Sequence, residues 1–329
     1  MAKKTQIKKI GVMCSGGDGP GMNAAVRAVV RAAIFNGLKV EGIMRGFQGL
    51  IDNDLVDMNR RSVSGIIGRG GTILKTARSP EFRTEKGQQK AVNTIKAHQL
   101  DALVVVGGDG SYLGANELWT RWGIPTVGLP GTIDNDMFGT DYTIGYDTAL
   151  NTVVEAVDKI KDTASSHGRI FFIEVMGREA GLLALNSGIA VGAEVILIPE
   201  SKEQHEELKK FLAKGYKTKE TSGIVIVAEG DEMGGAIKIA QTVTEEHPDL
   251  DVRVSILGHI QRGGSPTAKD RVAATRMGVA AVDALLDDQK SIMIGLKNEK
   301  TVHVPFSKAV KLHHSIDEDL IEIQRVINI

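Results

Sequence analysis

The stretch Pro125-Thr126-Val127-Gly128-Leu129-Pro130-Gly131-Thr132-Ile133-Asp134-Asn135-Asp136 joins a short apolar run to a turn-rich segment that carries two carboxylates. The run has the length of a buried strand, and in open α/β folds the residues after a strand lie at the edge of the sheet where ligands bind. One carboxylate can accept a proton while its neighbour faces a metal, as phosphoryl transfer to an alcohol requires. Alone, an Asp-Asn-Asp sequence is more typical of a surface loop. The functional interpretation therefore depends on further loops of the same kind.

The composition restricts the classes of protein that this chain can represent. It has 329 residues, 42% of them hydrophobic and 25% charged, with a net charge of −1, which is typical of a soluble globular protein with one large or two smaller domains. The balanced charge gives no reason to expect binding to nucleic acid or to anionic membranes, and no apolar run approaches the roughly 20 residues of a membrane span. Cys14 is the only cysteine, which excludes intramolecular disulfides and predicts a cytoplasmic protein.

Short apolar runs alternate with helical stretches, which predicts parallel sheets covered by helices on both faces. The predicted pairs of a strand and the helix that follows it are 10–13 with 22–35, 102–106 with 111–119, 170–175 with 180–190, 195–198 with 203–213, 224–228 with 234–246, and 252–257 with 268–286. A further strand is predicted at 40–44. A long helical pattern at 148–163 indicates a crossing between two domains, and no Pro/Ser-rich linker separates them. The expected fold class is α/β, with two Rossmann-like three-layer α/β/α domains and an active-site cleft between them.

The loop Ser15-Gly16-Gly17-Asp18-Gly19-Pro20-Gly21-Met22-Asn23 follows the first predicted strand. Its glycines allow close approach of the backbone, and N–H groups at a helix N-terminus favour an anion. An alternative interpretation is a dinucleotide fingerprint, Gly19-x-Gly21-x-x-Ala24, with Glu41 about 20 residues further on, which predicts a nicotinamide-dependent dehydrogenase. Pro20 lies inside that motif, and the remaining loops have no role in hydride transfer.

Two further loops are rich in glycine and charge. The loop Gly107-Gly108-Asp109-Gly110-Ser111 suits a phosphate, and Asp109 can reach a cation, although a tight turn capped by Asp is an equal alternative. The loop Gly258-His259-Ile260-Gln261-Arg262-Gly263-Gly264-Ser265-Pro266 places His259 three residues before Arg262, which favours recognition of a phosphate dianion.

These loops, together with Ala77-Arg78, Ser165-Ser166-His167-Gly168-Arg169 and Met176-Gly177-Arg178, resemble the bacterial type of ATP-dependent 6-phosphofructokinase along essentially the whole chain. The resemblance implies transfer of the γ-phosphoryl of ATP to the 1-hydroxyl of fructose 6-phosphate, with Mg²⁺, as the committed step of glycolysis. It implies an ATP-binding domain at 1–145 plus 261–311 and a fructose 6-phosphate-binding domain at 146–260 plus 312–329. It also implies a homo-oligomer, expected to be a tetramer.

The resemblance also assigns residues to roles. Asp134 matches the catalytic base, Thr132 and Arg178 match groups around the transferred phosphoryl, and Asp109 and Asp136 match the magnesium site. The nucleotide-binding matches are Gly16, Gly17, Arg78, Gly108, Asp109, Gly110 and Ser111. The sugar-phosphate matches are Thr132, Asp134, Arg169, Met176, Gly177, Arg178, Glu229, Arg253, His259 and Arg262, of which the family takes Arg169 and Arg253 from a neighbouring subunit. Since the carboxylate set and Arg178 are intact, a non-catalytic scaffold homologue is the less favoured alternative.

Two glycines bear on the phosphoryl donor. Pyrophosphate-dependent relatives carry Asp where this chain has Gly110 and Lys where it has Gly131. Glycine at both positions leaves room for a nucleotide α-phosphate and predicts ATP; a pyrophosphate-dependent phosphofructokinase is the alternative. Because Ser79 replaces a frequent aromatic beside the adenine site, the preference among nucleotides stays open.

The family also has an effector site for ADP or phosphoenolpyruvate. The matching residues here are Arg27, Arg31, Arg60, Lys161 and Glu194. In this chain Lys161 replaces an arginine of the family pattern, and Gly65 occupies a position where an acid is expected. The lysine-rich effector segment of the family is represented by Lys217-Thr218-Lys219-Glu220-Thr221. We therefore expect a weakened or altered effector response.

Overall fold

The computed structural model describes residues 7–201, 203–218, 223–312 and 316–327. The described residues divide into two compact units. The first contains the chain up to Thr132, Met137–Thr148, and 262–312. The second contains Ile133–Asp136, Ala149–Gln261, and 316–327. The segment with both carboxylates of the Asp-Asn-Asp sequence thus groups with the second unit.

Strands and helices are numbered in chain order. The strands are β1 Lys9–Cys14, β2 Lys39–Ile43, β3 Leu55–Met58, β4 Ala102–Gly107, β5 Thr126–Pro130, β6 Ile170–Val175, β7 Val195–Leu197, β8 Gly223–Ala228, β9 Val252–Ile256, β10 Ile292–Lys297 and β11 Lys300–Pro305. The α-helices are α1 Met22–Phe35, α2 Phe47–Asp52, α3 Glu85–Ala97, α4 Asp109–Trp122, α5 Tyr146–His167, α6 Leu182–Val191, α7 Glu203–Thr218, α8 Gly235–Glu246, α9 Ala268–Leu286, α10 Phe306–Ala309 and α11 Glu318–Ile327. Short 3₁₀ helices span Glu81–Arg83 and Gly258–Arg262.

The first unit is built on a sheet with the strand order β11-β10-β5-β4-β1-β2-β3. Its inner strands are parallel, and the edge strands β3 and β11 run antiparallel to their neighbours. Because the chain proceeds from β1 to β2 on one side and reaches β4 and β5 on the other, the strand order reverses beside β1. In open α/β sheets this switch point is where ligands bind.

The register aligns the carboxyl ends of the central strands. Cys14 pairs with Val106, and Gly107 pairs with Pro130. The loops after β1, β4 and β5 therefore leave the sheet side by side. Strand β4 is buried along its whole length, as its continuous apolar sequence requires of a strand covered on both faces.

Helices α1 and α9 approach each other closely in the first unit. A Cβ built on Gly278 of α9 would lie 2.6 Å from the Cβ of Ala28 in α1, so glycine and alanine permit this spacing. Most of α1 is buried, consistent with its alanine- and valine-rich sequence.

The second unit contains a fully parallel sheet with the order β7-β8-β6-β9. Alternate residues of β6 belong to different cores: Phe171, Ile173 and Val175 pack in one, and Ile170 and Phe172 in the other. Since side chains alternate across a strand, both faces of this sheet are buried. The α/β class expected from the sequence is confirmed.

The predicted strand–helix pairs correspond to observed elements with small shifts of their ends, and the 148–163 pattern lies inside α5. The sequence patterns did not predict β3, which is short and largely exposed, or the β10–β11 hairpin. They also did not predict α2 or α3. An edge strand exposes part of its surface, so β3 lacks the continuous apolar run that marked the central strands.

Candidate active site

In the first unit, the loops after β1 and β4 lie against each other. The N–H of Ser15 donates to the carbonyl of Val106 at 2.9 Å. A Cβ built on Gly107 would lie 2.4 Å from Ser111 Oγ and 2.5 Å from the Ser15 carbonyl oxygen. Glycine at 107 is therefore a packing requirement that lets the two predicted phosphate loops meet.

The glycine loop after β1 has the backbone of an anion site. Gly16 and Gly21 adopt positive φ angles, 87° and 102°, which L side chains rarely adopt. Gly21 precedes the first residue of α1 and has no side chain with which to cap it, so no side chain of the cap residue accepts from the N–H groups of the first turn. The Thr76 hydroxyl donates to the Gly16 carbonyl at 2.8 Å and ties the exposed Arg78 segment to this loop.

Arg262 rests on the same loop. Its Nη1 donates to the Asp18 carbonyl at 3.0 Å, and a Cβ built on Gly17 would lie 2.5 Å from that nitrogen. A side chain at 17 would displace the guanidinium. The sequence grouped Arg262 with the sugar-phosphate residues; the structure places it against a predicted nucleotide loop, and its contact with a sugar phosphate stays a prediction.

The loop after β4 begins α4 and adjoins the segment after β5. Asp109 occupies the first turn of α4, where a negative charge is favoured by the helix dipole. The N–H of Gly131 donates to the Gly107 carbonyl at 3.1 Å, and Thr132 Cβ lies 3.8 Å from a Cβ built on Gly108. The structure thus brings Thr132 beside the β4 loop.

Gly110 and Gly131, the two positions predicted to select the phosphoryl donor, differ in their surroundings. Gly110 is exposed, and a Cβ built there meets nothing within 4 Å. A Cβ on buried Gly131 would lie 3.0 Å from Met22 Cε and from Val106 Cγ1. Gly110 can therefore accept a side chain without disturbing the protein, whereas Gly131 also serves packing.

In the second unit, Asp134 is paired with Arg178. The Asp134 side chain is only 1% exposed, and its Oδ2 lies 3.5 Å from Arg178 Nε. Asn135 has a φ of 54°, a left-handed conformation that Asn tolerates better than most residues, and half-buried Asp136 follows. The pair places a buried carboxylate beside a half-exposed guanidinium, an arrangement suited to a base next to developing phosphoryl charge.

The backbone at Met176–Arg178 is held in an unusual conformation. Arg178 has a φ of 54° and Gly177 a φ of 140°. The N–H of Arg178 donates to Glu229 Oε1 at 2.8 Å, and the N–H of Met176 donates to Gln261 Oε1 at 3.2 Å. Because strained backbone persists only where its surroundings fix it, these bonds explain how Arg178 keeps its orientation.

Arg169 and Arg253 converge on one carboxylate. Arg169 Nε and Arg253 Nη2 each lie 2.9 Å from an oxygen of Asp251. His259 is exposed on the 3₁₀ helix Gly258–Arg262. Asp251 was not identified from the sequence, because nothing local distinguishes it from other surface acids.

The predicted metal ligands are carboxylates, the donors that Mg²⁺ prefers. Across the described ranges, no three His, Cys, Asp or Glu side chains cluster closely enough to hold a metal ion on their own. The binding of Mg²⁺ by Asp109 and Asp136 stays a prediction.

The comparison with known proteins assigns the family. The family model described as Phosphofructokinase matches residues 9–285. The chain belongs to the phosphofructokinase family.

Relatives in this phosphofructokinase family match almost the whole chain. ATP-dependent 6-phosphofructokinase 2 of Bacteroides thetaiotaomicron is 54% identical over 323 residues, 98% of this chain and 99% of the relative. The ATP-dependent 6-phosphofructokinase of Oceanobacillus iheyensis is 50% identical, over 98% of this chain and 100% of the relative. The solved structure of phosphofructokinase from Saccharomyces cerevisiae has a TM-score of 0.83 at 40% identity and covers 98% of this chain. This chain spans 47% of that longer yeast chain.

The dehydrogenase alternative is not supported in this phosphofructokinase. Glu41, its proposed ribose ligand, is 6% exposed. It accepts a hydrogen bond from Lys9 Nζ at 2.6 Å and lies 2.8 Å from His98 Nδ1. The carboxylate is therefore engaged within the protein. Among the helices that the structure describes, none has both the length and the apolar character needed to cross a membrane.

The effector matches fall on both units of the phosphofructokinase. Arg27 and Arg31 lie on α1, where burial and the neighbouring Arg31 charge lower the pKa of Arg27. Exposed Arg60 lines a groove of about 620 Å³. Lys161 donates to the Val191 carbonyl at the end of α6, and Glu194 accepts from the N–H of Ile224 at 2.6 Å. Lys161 and Glu194 thus have structural contacts of their own. Lys219, Glu220 and Thr221 lie outside the described residues.

Proposed function

We propose that this phosphofructokinase transfers the γ-phosphoryl of ATP to the 1-hydroxyl of fructose 6-phosphate, giving fructose 1,6-bisphosphate and ADP in the committed step of glycolysis. The observation that carries the proposal is the buried Asp134 carboxylate beside Arg178, whose backbone N–H is bonded to Glu229. Full-length relatives named ATP-dependent 6-phosphofructokinase support it.

The proposed chemistry follows from charge. Asp134 accepts the proton of the 1-hydroxyl as the hydroxyl oxygen attacks the γ-phosphorus. The bond from the γ-phosphorus to the oxygen that bridges it to the β-phosphorus breaks, and ADP leaves. Arg178 offsets the charge that accumulates on the transferred phosphoryl. Thr132, the Gly16–Gly17 loop, the β4 loop and Arg78 orient the phosphates.

Asp109 and Asp136 would hold Mg²⁺ with the nucleotide phosphates. When bound, the ion neutralises phosphate charge and orients the oxygens. The proposal is supported by the carboxylate donors of both residues, since Mg²⁺ is usually bound by one or two carboxylates together with substrate phosphates and water.

We propose that Arg169, Met176, Gly177, Glu229, Arg253, His259 and Arg262 bind the sugar phosphate in a cytoplasmic homotetramer. Arg169 and Arg253 share Asp251, so the two guanidinium groups are already gathered as a bidentate phosphate site needs. If a neighbouring subunit uses this pair, dilution to monomers raises KM for fructose 6-phosphate.

A coupled assay with ATP, Mg²⁺ and fructose 6-phosphate tests the proposal, with mass spectrometry of the product. Formation of fructose 1,6-bisphosphate and ADP is the expected result. Absence of transfer at any substrate concentration, with the protein folded by circular dichroism, would contradict it.

ATP should be a better donor than pyrophosphate, because exposed Gly110 leaves space for the nucleotide. Gly110→Asp should lower kcat/KM for ATP by at least about tenfold through charge repulsion. Gly110→Ala, whose Cβ meets no protein atom, is the matched control and should stay within about threefold of the unsubstituted enzyme. Steady-state rates with both donors measure this, and faster turnover of the unsubstituted enzyme with pyrophosphate refutes it.

The response to ADP and phosphoenolpyruvate should be weak. Lys161 is committed to the end of α6, and Gly65 supplies no acid. Saturation curves for fructose 6-phosphate are measured with and without roughly 1 to 5 mM effector, the range of weak Kd values, and the half-saturation point should shift by less than about threefold. Strong cooperative inhibition by phosphoenolpyruvate would show that the changed positions do not matter.

A further inference from the structure

A buried carboxylate on α9 holds the segment Tyr142–Thr148, here called the brace. Asp270 is fully buried. Its Oδ1 accepts from the Tyr142 hydroxyl at 2.8 Å and from the N–H of Gly145 at 2.6 Å, and its Oδ2 accepts from the N–H of Thr148 at 2.9 Å and from the Thr148 hydroxyl. One side chain thereby fixes both ends of the brace, although 122 to 128 residues separate it from them along the chain.

The brace in turn supports the segment that leads into Asp134. The Thr143 hydroxyl donates to the Thr132 carbonyl at 2.8 Å, and the N–H of Ile144 donates to the Pro130 carbonyl at 2.7 Å. Gly131 and Ile144 form an isolated parallel bridge. Residues 130–132 therefore take their position from a segment that Asp270 pins.

The brace also contacts the glycine loop. A Cβ built on Gly21 would lie 2.7 Å from Ile144 Cγ2 and 3.6 Å from Asp270 Cβ. The start of α1 thus packs directly on the brace.

Helix capping does not account for this network. Thr267 already caps α9 by accepting from the N–H of Asp270 at 3.2 Å. In a capping box an acid at this position returns to the N–H of the cap residue. Here the N–H of Thr267 instead donates to the Thr148 hydroxyl at 3.0 Å, while the Asp270 carboxylate reaches the brace. Burial raises the pKa of Asp270, and the hydrogen bonds from Thr148, Gly145 and Tyr142 oppose this by favouring the carboxylate.

We propose that Asp270 is a positioning residue for phosphoryl transfer, acting through Thr143 on Thr132. The inference rests on the proposed function, because Thr132 is the residue through which the brace reaches the proposed site of phosphoryl transfer. A carboxylate is needed because its oxygens accept from N–H groups on two sides, whereas an amide presents an NH₂ to one of them.

Asp270→Asn should lower kcat by about 10- to 100-fold while KM for ATP and for fructose 6-phosphate stays within about threefold, because misplacement of a reacting group affects the transition state more than ground-state binding. Thr143→Val, which removes the hydroxyl that donates to Thr132, should lower kcat by about tenfold, and Thr143→Ser should restore most of it. The matched control is Asp101→Asn, another carboxylate that accepts backbone N–H groups, from Lys8 and Lys9. It should leave kcat unchanged.

Rates are expressed per folded enzyme, with the folded fraction taken from a thermal melt. Unchanged kcat in Thr143→Val overturns the inference, as does an Asp270→Asn loss that equals the unfolded fraction. If Asp270→Asn does not fold, the kcat of Thr143→Val by itself decides whether the inference holds. Absence of any transfer by the unsubstituted enzyme would overturn the proposed function instead, so the two failures are distinguishable.

Discussion

Replacing Asp134 by Ser should lower kcat by about 10²- to 10⁴-fold, the usual contribution of a general base. The serine hydroxyl is a far weaker base than the buried carboxylate that it replaces. Arg178, whose Nε lies 3.5 Å from Asp134 Oδ2, remains to bind phosphate, so KM should change far less than kcat. Single-turnover phosphoryl transfer, measured with excess enzyme, separates this step from product release.

Asp134→Asn provides a second variant of nearly native shape. If the missing base is the cause, both variants should fall to a similar level, whereas loss of packing would affect Ser more. Asp158→Asn, on an exposed position of α5, is the matched control and should retain full turnover. Near-native rates in both Asp134 variants would remove Asp134 from the mechanism.

Replacing Arg178 by Gln should lower kcat by about 10²- to 10³-fold, comparable with removal of one donor from a charge-stabilising site. The positive φ of 54° disfavours Gln as much as Arg, and the bond from the backbone N–H of residue 178 to Glu229 does not depend on the side chain. The change should therefore remove the guanidinium and leave the backbone in place. Rates and KM values for both substrates measure the effect.

Arg178→Lys keeps the charge but not the planar fork, so it should recover only part of the lost rate. Arg121→Gln breaks an exposed pair with Glu117 on α4 and serves as the control, since such pairs contribute about 1 kcal/mol or less to stability. A loss in Arg178→Gln confined to KM for fructose 6-phosphate would assign Arg178 to substrate binding alone.

Much of the candidate site could be predicted from local sequence patterns. Gly107 is recognisable as part of a phosphate loop because Gly and Asp follow it after an apolar strand. The structure shows in addition that Ser15 and Ser111 leave no space for a side chain at residue 107. The Asp-Asn-Asp segment is likewise recognisable from adjacent residues. Asp270 is different: its position suggests no more than a helix N-terminus, and its partners lie far away in the chain.

The sequence by itself determined the α/β class, the central strands, and the loops that follow β1, β4 and β5, because hydrophobic periodicity and loop composition are properties of neighbouring residues. The family followed from the resemblance of its motifs to those of known proteins. Only the tertiary structure decided that Arg178 pairs with Asp134, that Arg169 and Arg253 share Asp251, and that Asp270 holds the brace beneath Thr132. The reason is physical: these contacts arise from the packing of segments distant along the chain, and single residues do not encode the partner that folding brings to them.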